Sequence, residues 1–242
     1  MSVETLPHGH APDQAPDQAP VVSRRALALS AAWATPVVLV AVTAPAYAAT
    51  SGQCPDYGLA DLGAVGSKPG SLLLPPSSNK ATISLQRTDS KGNVLALDDA
   101  TGSVATTDYT PGWSYLMLHH AKGMRQGDII TLTLSLDDPV ENLTLTVTDI
   151  DKIKGEWIDQ VYTSPVAIAS AQGPNVVGSG TSADPFTSKV NAEIHTAAGD
   201  LTLTWPGPLS VVQLFFRVGD TKNTSTRGQH VGVGKIGFDG CE

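Results

Sequence analysis

Apolar and polar residues alternate in short runs through most of the chain beyond residue 80. The clearest are "ATISLQR" (81–87), "IITLTLSL" (129–136), "NLTLTVTDI" (142–150), "DLTLTW" (200–205) and "SVVQLFFRV" (210–218). A period of two puts successive side chains on opposite faces of a strand. "WSYLML" (113–118), "VNAEIHT" (190–196) and "HVGVGKIGF" (230–238) predict further, shorter strands. Thr, Val and Leu fill the runs, and Gly, Pro, Asn, Asp and Ser fill the gaps between them. No segment after the first fifty residues carries a long helical period. Many short strands separated by turn residues predict an all-β, antiparallel β-sandwich, jelly-roll-like as first choice and immunoglobulin-like as second.

Two phase breaks stand out. In "HVGVGKIGF", Val231 and Val233 share one phase, while Ile236 and Phe238 share the other. A slip at Gly234–Lys235 reconciles them and predicts a β-bulge. The second break lies at "TDIDKIKGEWIDQV" (148–161). Leu143, Leu145 and Val147 fall on one face, and a straight continuation adds Asp149 and Asp151 to it. Carboxylates on an apolar face are costly unless paired, hydrogen-bonded or bound to a cation. The strand therefore leaves the core here, or bulges so that Ile150 turns inward, or the carboxylates have a partner.

Three partners are open. Calcium could be held by Asp149, Asp151 and Asp159 with loop carbonyls, since hard cations take oxygen ligands. The EF-hand pattern fails, with Ile153 and Gln160 at ligand positions and Gly155 one place late. Lys152 and Lys154 could neutralise the pair. Backbone N–H groups of a turn through Gly155 could cap it. The two structural readings are favoured over calcium. A catalytic pair of the glycosidase kind needs carboxylates flanking a cleft, and no catalytic residue is assigned.

Composition narrows the partners. The 242-residue chain is 16% charged and 41% hydrophobic, with a net charge of -8. It has no basic run beyond Arg24-Arg25, which argues against nucleic acid and anionic membranes as partners. Residues 1–22, with the repeat "APDQAPDQAP", cannot bury a core. Then follow Arg24-Arg25, an apolar segment from Ala26 to Thr43, and the small-x-small site Ala46-Tyr47-Ala48. That order predicts an export signal cleaved after Ala48. The chain then divides into a leader (1–48) and a single β-sandwich domain (49–242), with no membrane attachment after cleavage. An uncleaved anchor is the rival, disfavoured by Pro36 and the Ala/Thr content.

Ser23 to Leu27 resembles a twin-arginine export signal, although Leu29 stands where such signals often have Lys. The tail "WATPVVLVAVTAPAYA" is similar to leaders of secreted Gram-positive proteins. The resemblance implies folding before export and a secreted or cell-surface location. The D-x-D pattern followed by Trp157-x-Asp159-x-Val161, together with "VGSGTSADPF" (177–186) and "HVGVGKIGF", resembles secreted bacterial β-sandwich domains of uncharacterised function. It implies fold and compartment, not activity.

Cys54 and Cys241 are the two cysteines. In an exported chain an even count reads as a disulfide. Closing so long a loop would stabilise by about 5 kcal/mol in the chain-entropy model. Gln53 argues against a lipid anchor on Cys54. Free thiols are the remaining alternative.

His119 and His120 are strand neighbours on opposite faces, poor joint ligands for one metal. His195 and His230 are isolated. No HExxH, nucleophile elbow, Walker loop or zinc-type cysteine spacing occurs. Asn142 and Asn223 match glycosylation acceptors. Trp113, Tyr115 and Trp157, with Trp205, are candidate members of a sugar-stacking platform. Phe215 shares the phase of Gln213 and Arg217, opposite Leu214 and Phe216, and is expected to be covered by a second sheet or a loop. The expected function is an exported, non-catalytic module binding cell-wall glycan or a surface protein. The alternatives are a secreted hydrolase using Asp149, Asp151 or Asp159, and a purely structural envelope protein.

Overall fold

The computed structural model describes residues 57–58, 70–73, 80–106, 114–121, 123–192, 196–219 and 228–239. The chain divides into Met1–Tyr47 and Ala48–Glu242, and all described residues belong to the second unit. Arg24, Arg25, the Ala48 site, Cys54, Cys241, Trp113, His195 and Asn223 lie outside the described residues.

The alternating runs form strands. Five short or early ones are β1 (Tyr57–Gly58), β2 (Gly70–Leu73), β3 (Lys80–Thr88), β4 (Val94–Leu95) and β5 (Val104–Thr106). The middle of the chain supplies β6 (Ser114–His120), β7 (Ile129–Thr148), β8 (Lys152–Ile153), β9 (Trp157–Ser164) and β10 (Ile168–Gln172). After β11 (Val176–Val177) and β12 (Thr187–Ser188) come β13 (Leu201–Trp205), β14 (Leu209–Val218) and β15 (Gln229–Asp239). Every pairing among them is antiparallel. The helical content among the described residues is one 3-10 turn, Ala197–Gly199. No helix among them is long and apolar enough to cross a membrane.

The architecture is all-β and antiparallel, organised by β7. The sequence pattern predicts two strands where one of 20 residues forms. Its first part pairs with β3 and β14. Its second part pairs with β13 and β15. Outward from these, β9 joins β14, β6 joins β15 and β10 joins β13. Between the two parts lie exposed Asp137, Asp138 and Pro139, and the register with β14 jumps from Val140–Leu209 to Ser135–Val211. Pro139 has no N–H to lose from a ladder. Asn142 takes φ 50, a left-handed conformation that Asn tolerates better than most residues.

This corner resolves the change in parity. Ile130, Leu132, Leu134 and Leu136 point inward before it, and Leu143, Leu145 and Val147 after it. All join one buried apolar cluster with Ile83, Val161, Leu203, Leu214, Phe216 and Val233.

The bulge in β15 forms where the phase break places it. Register with β7 shifts between Val233 and Ile236, so Val231, Val233, Ile236 and Phe238 are all buried. The displaced Lys235 N–H donates to Thr146 Oγ1 at 2.7 Å. Three expectations change. β7 stops at Thr148, short of Ile150. "VNAEIHT" contributes only a bridge from Ala192 to Lys152 among the described residues. β9 and β10, absent from the predicted strands, complete the sheet edges.

Leu145 is fully buried between β13 and β15. Leu145→Ala should cost about 2–5 kcal/mol, and Thr144→Ala on the other face within about 0.5 kcal/mol. Urea unfolding of both variants checks this, and equal losses would contradict the assigned faces.

Candidate functional site

The point where β7 leaves the sheet gathers the predicted carboxylates. Asp149 takes φ 66, which breaks strand geometry and turns the fully buried Ile150 toward the core. The chain leaving the ladder still has buried N–H groups to satisfy. The 3-10 turn Ala197–Gly199, capped by the Thr196 hydroxyl, supplies two acceptors. Asp149 N–H donates to the Asp200 carboxylate, and Ile150 N–H donates to Gly199 O at 3.1 Å. Asp151 N–H donates to Asp159 Oδ2 at 3.0 Å.

Asp159 thus sits in core phase on β9, between buried Trp157 and Val161, because it caps the strand end. Its own N–H returns a bond to Asp151 O at 3.1 Å. Trp157 Nε1 donates to Asp151 Oδ1 at 2.9 Å. Gln229 Nε2 donates to Asp159 Oδ1 at 2.5 Å. His230 Nε2 lies 3.2 Å from Asp149 Oδ2. The β8–β9 hairpin is closed by Glu156 N–H to Ile153 O, with Gly155 at φ 88 as a type II turn requires.

Electrostatics follows from this burial. Asp159 is fully buried, and desolvation, then the charge of Asp151, raises its carboxyl well above the usual range. A protonated Asp159 can donate to Gln229 Oε1 after a half-turn of the amide. That satisfies an oxygen otherwise buried without a hydrogen-bond partner. Burial also raises Asp200 to about 6, against the Asp149 N–H that favours its charged form. Nearby, His119 Nδ1 lies 2.9 Å from Asp98 Oδ1, and its ring centre lies 6.3 Å from that of His230. His120, on the other face of β6, is buried against Phe216, which depresses it to about 4.

Asp149, Asp151 and Asp159 are the residues expected to hold calcium. Among the described residues no group of three or more His, Cys, Asp or Glu is placed to hold a metal ion. The donor oxygens are turned to Trp157, Gln229, His230 and backbone N–H groups instead. The capped strand end is the reading that fits, with Asp200 and Asp159 as the caps rather than the Gly155 turn. A hydrolytic pair would need a cleft. The nearby depression, about 200 Å³ between Gly173, Ala197 and Asp200, is below the roughly 300 Å³ of ordinary ligand pockets. Asp149, Asp151 and Asp159 do not line it.

The expected aromatic platform also changes. Tyr115 and Trp157 are each 4% exposed and Trp205 is 2% exposed, its indole N–H donating to Pro165 O. None presents a face for stacking. Partly buried aromatics lie on the outward face of β9 and β14. Phe215 stacks on its cross-strand neighbour Tyr162, with ring centres 4.7 Å apart and planes at 9°. Arg217 lies over Tyr162, Cζ 5.2 Å from the ring centre, and donates to Gln160 Oε1 at 2.8 Å. Gln213 reaches Thr133 Oγ1 at 3.3 Å. Among the described residues, the group packed on Phe215 is this strand neighbour. The alternation Ile158, Gln160, Tyr162 in "WIDQVYTS" was the signal for that partner.

No family model matches the chain, and no curated protein matches it. One solved structure is similar to part of it: a glycoside hydrolase family 43 arabinoxylan arabinofuranohydrolase from Bacillus subtilis in complex with cellotetraose. Identity is 11%, the match covers 67% of this chain and 39% of that one, and the TM-score is 0.22. A likeness of that size assigns neither fold nor activity.

Asp159 holds its proton more tightly folded than unfolded. Its stabilising contribution is therefore full below about 3.8 and is lost as pH rises through its folded value. Asp200 acts in the same sense, its contribution being lost as pH rises through about 6. His120 opposes both, its contribution being lost as pH falls from 6.5 through about 4. Asp159→Asn keeps the capping oxygen and removes the titration. It should gain stability over the parent as pH rises from 4 to 8, reaching about 1–3 kcal/mol. Unfolding of both proteins across that range measures the difference, and a gap that does not widen refutes a proton-holding Asp159. Melting with and without a chelator should give the same midpoint, and a lower midpoint with chelator would restore the metal.

Proposed function

We propose that the chain is an exported, non-catalytic binding module, directed by its twin-arginine leader (1–48) to the cell surface or medium. In this reading residues 49–242 form a jelly-roll-like β-sandwich. The large apolar cluster filled from both parts of β7 supports two facing layers. The Cys54–Cys241 disulfide would tie its ends together.

The observation that carries the binding function is the Tyr162–Phe215 pair, stacked and only partly buried on an outward sheet face. Large aromatic side chains are expensive to leave in contact with water, and they recur at recognition surfaces. The carboxylates of the hydrolase alternative point the other way. Asp149, Asp151 and Asp159 are at most 6% exposed and bonded within the protein.

The secreted protein should begin at Ala49 by N-terminal sequencing and should be retained on cell-wall material without releasing sugar. A Met1 start in membranes would remove the export reading. Sugar release would establish the hydrolase. Retention on neither wall material nor surface protein would leave the structural envelope role.

A further inference from the structure

We propose that the outward face of β3, β7, β14 and β9 binds a neutral polysaccharide, with Tyr162, Phe215, Gln160 and Gln213 as principal contacts. This rests on the binding-module reading and names its ligand class.

The strand register builds the face in rows. Ser84, Thr133, Gln213 and Ser164 form one row across the four strands. Gln86, Thr131, Phe215 and Tyr162 form the next, and Thr88, Ile129, Arg217 and Gln160 the third. At about 4.8 Å per strand the rows are about 14 Å wide.

Three properties select the ligand. Arg217 is the one charge in these rows, and it is already engaged with Tyr162 and Gln160. An anionic polymer needs a series of cations to replace its counterions, and these rows hold none beyond Arg217. The rest is amide, hydroxyl and ring carbon. A Gln amide both donates and accepts, as Thr and Ser hydroxyls do, which matches the paired roles of sugar hydroxyls. The C–H faces of a sugar ring lose little on leaving water and pack against aromatic carbon. Protein interfaces instead centre on an anchor buried in a pocket, whereas these rows lie on the surface of a sheet.

The face is also pre-organised. Arg217, Tyr162 and Phe215 stack as one pile, and Gln160 and Gln213 are held by hydrogen bonds to neighbouring strands. Little side-chain freedom is left to lose on binding.

Affinity electrophoresis of the full chain through gels containing mixed-linkage β-glucan, xylan, α-glucan or polygalacturonate tests the proposal. At least one neutral polymer should retard the protein and polygalacturonate should not. Phe215→Ala and Tyr162→Ala should each weaken that retardation at least tenfold, with melting monitored to confirm folding. Gln213→Ala leaves the ring pile intact and should weaken it about threefold, which keeps the test open if an aromatic variant fails to fold. Retardation unchanged in all three variants overturns the face and leaves the module reading standing. Retardation by polygalacturonate alone, or retention only on purified surface protein, overturns the ligand class. No binding to any of these overturns both.

Discussion

A strand that ends inside a protein leaves N–H groups that water cannot reach, and the rest of this structure is arranged around meeting that demand. β7 holds neighbours along both of its parts and then stops at Thr148, beside the buried Ile150. The acceptors for its next three N–H groups come from distant chain: Asp200 and Gly199 before β13, and Asp159 on β9. An orphaned buried donor costs about 1–3 kcal/mol, so each acceptor is worth keeping even when it is a carboxylate. In the fold, Asp159 and Asp200 close the ladder that β7 leaves open.

That closure has an electrostatic consequence. Bringing Asp149, Asp151, Asp159 and Asp200 to one strand end concentrates like charge where little water remains. The fold meets it with donors, from the Trp157 indole, the Gln229 amide and His230, and burial raises the Asp159 carboxyl well above its usual range. Proton uptake and the geometry of the strand end are therefore coupled. His120, buried on the same strand as His119 but facing the opposite way, ties the stability of the core to pH in the reverse direction.

The candidate recognition surface lies on the other side of the same strands. β9 carries Trp157, Asp159 and Val161 inward and Ile158, Gln160 and Tyr162 outward. One alternating run thus supplies both a rigid internal cap and an external aromatic. The internal network anchors the strand against which Phe215 stacks, so that the outer pile rests on a fixed base.

The sequence by itself determined the all-β class and most of the longer strands, β9 and β10 excepted, because alternation is a local property read over a few residues. It placed the β15 bulge from the phase of four apolar residues, and it located a break at Asp149 from parity alone. Phe215 was visibly out of phase. What only the tertiary structure decided was partnership. Fusion of two predicted strands into β7 depends on the corner at Asp137 to Asn142, whose polar composition reads equally well as a loop. Asp159 meets Asp151 across a hairpin, Gln229 from β15 and Asp200 from a turn meet the same strand end, and Phe215 meets Tyr162 across two strands. The same alternation that names a strand is silent about its neighbour, because hydrogen-bond ladders are built from backbone groups that every residue shares. Whether a carboxylate is a ligand, a catalyst or a cap is set by that neighbour.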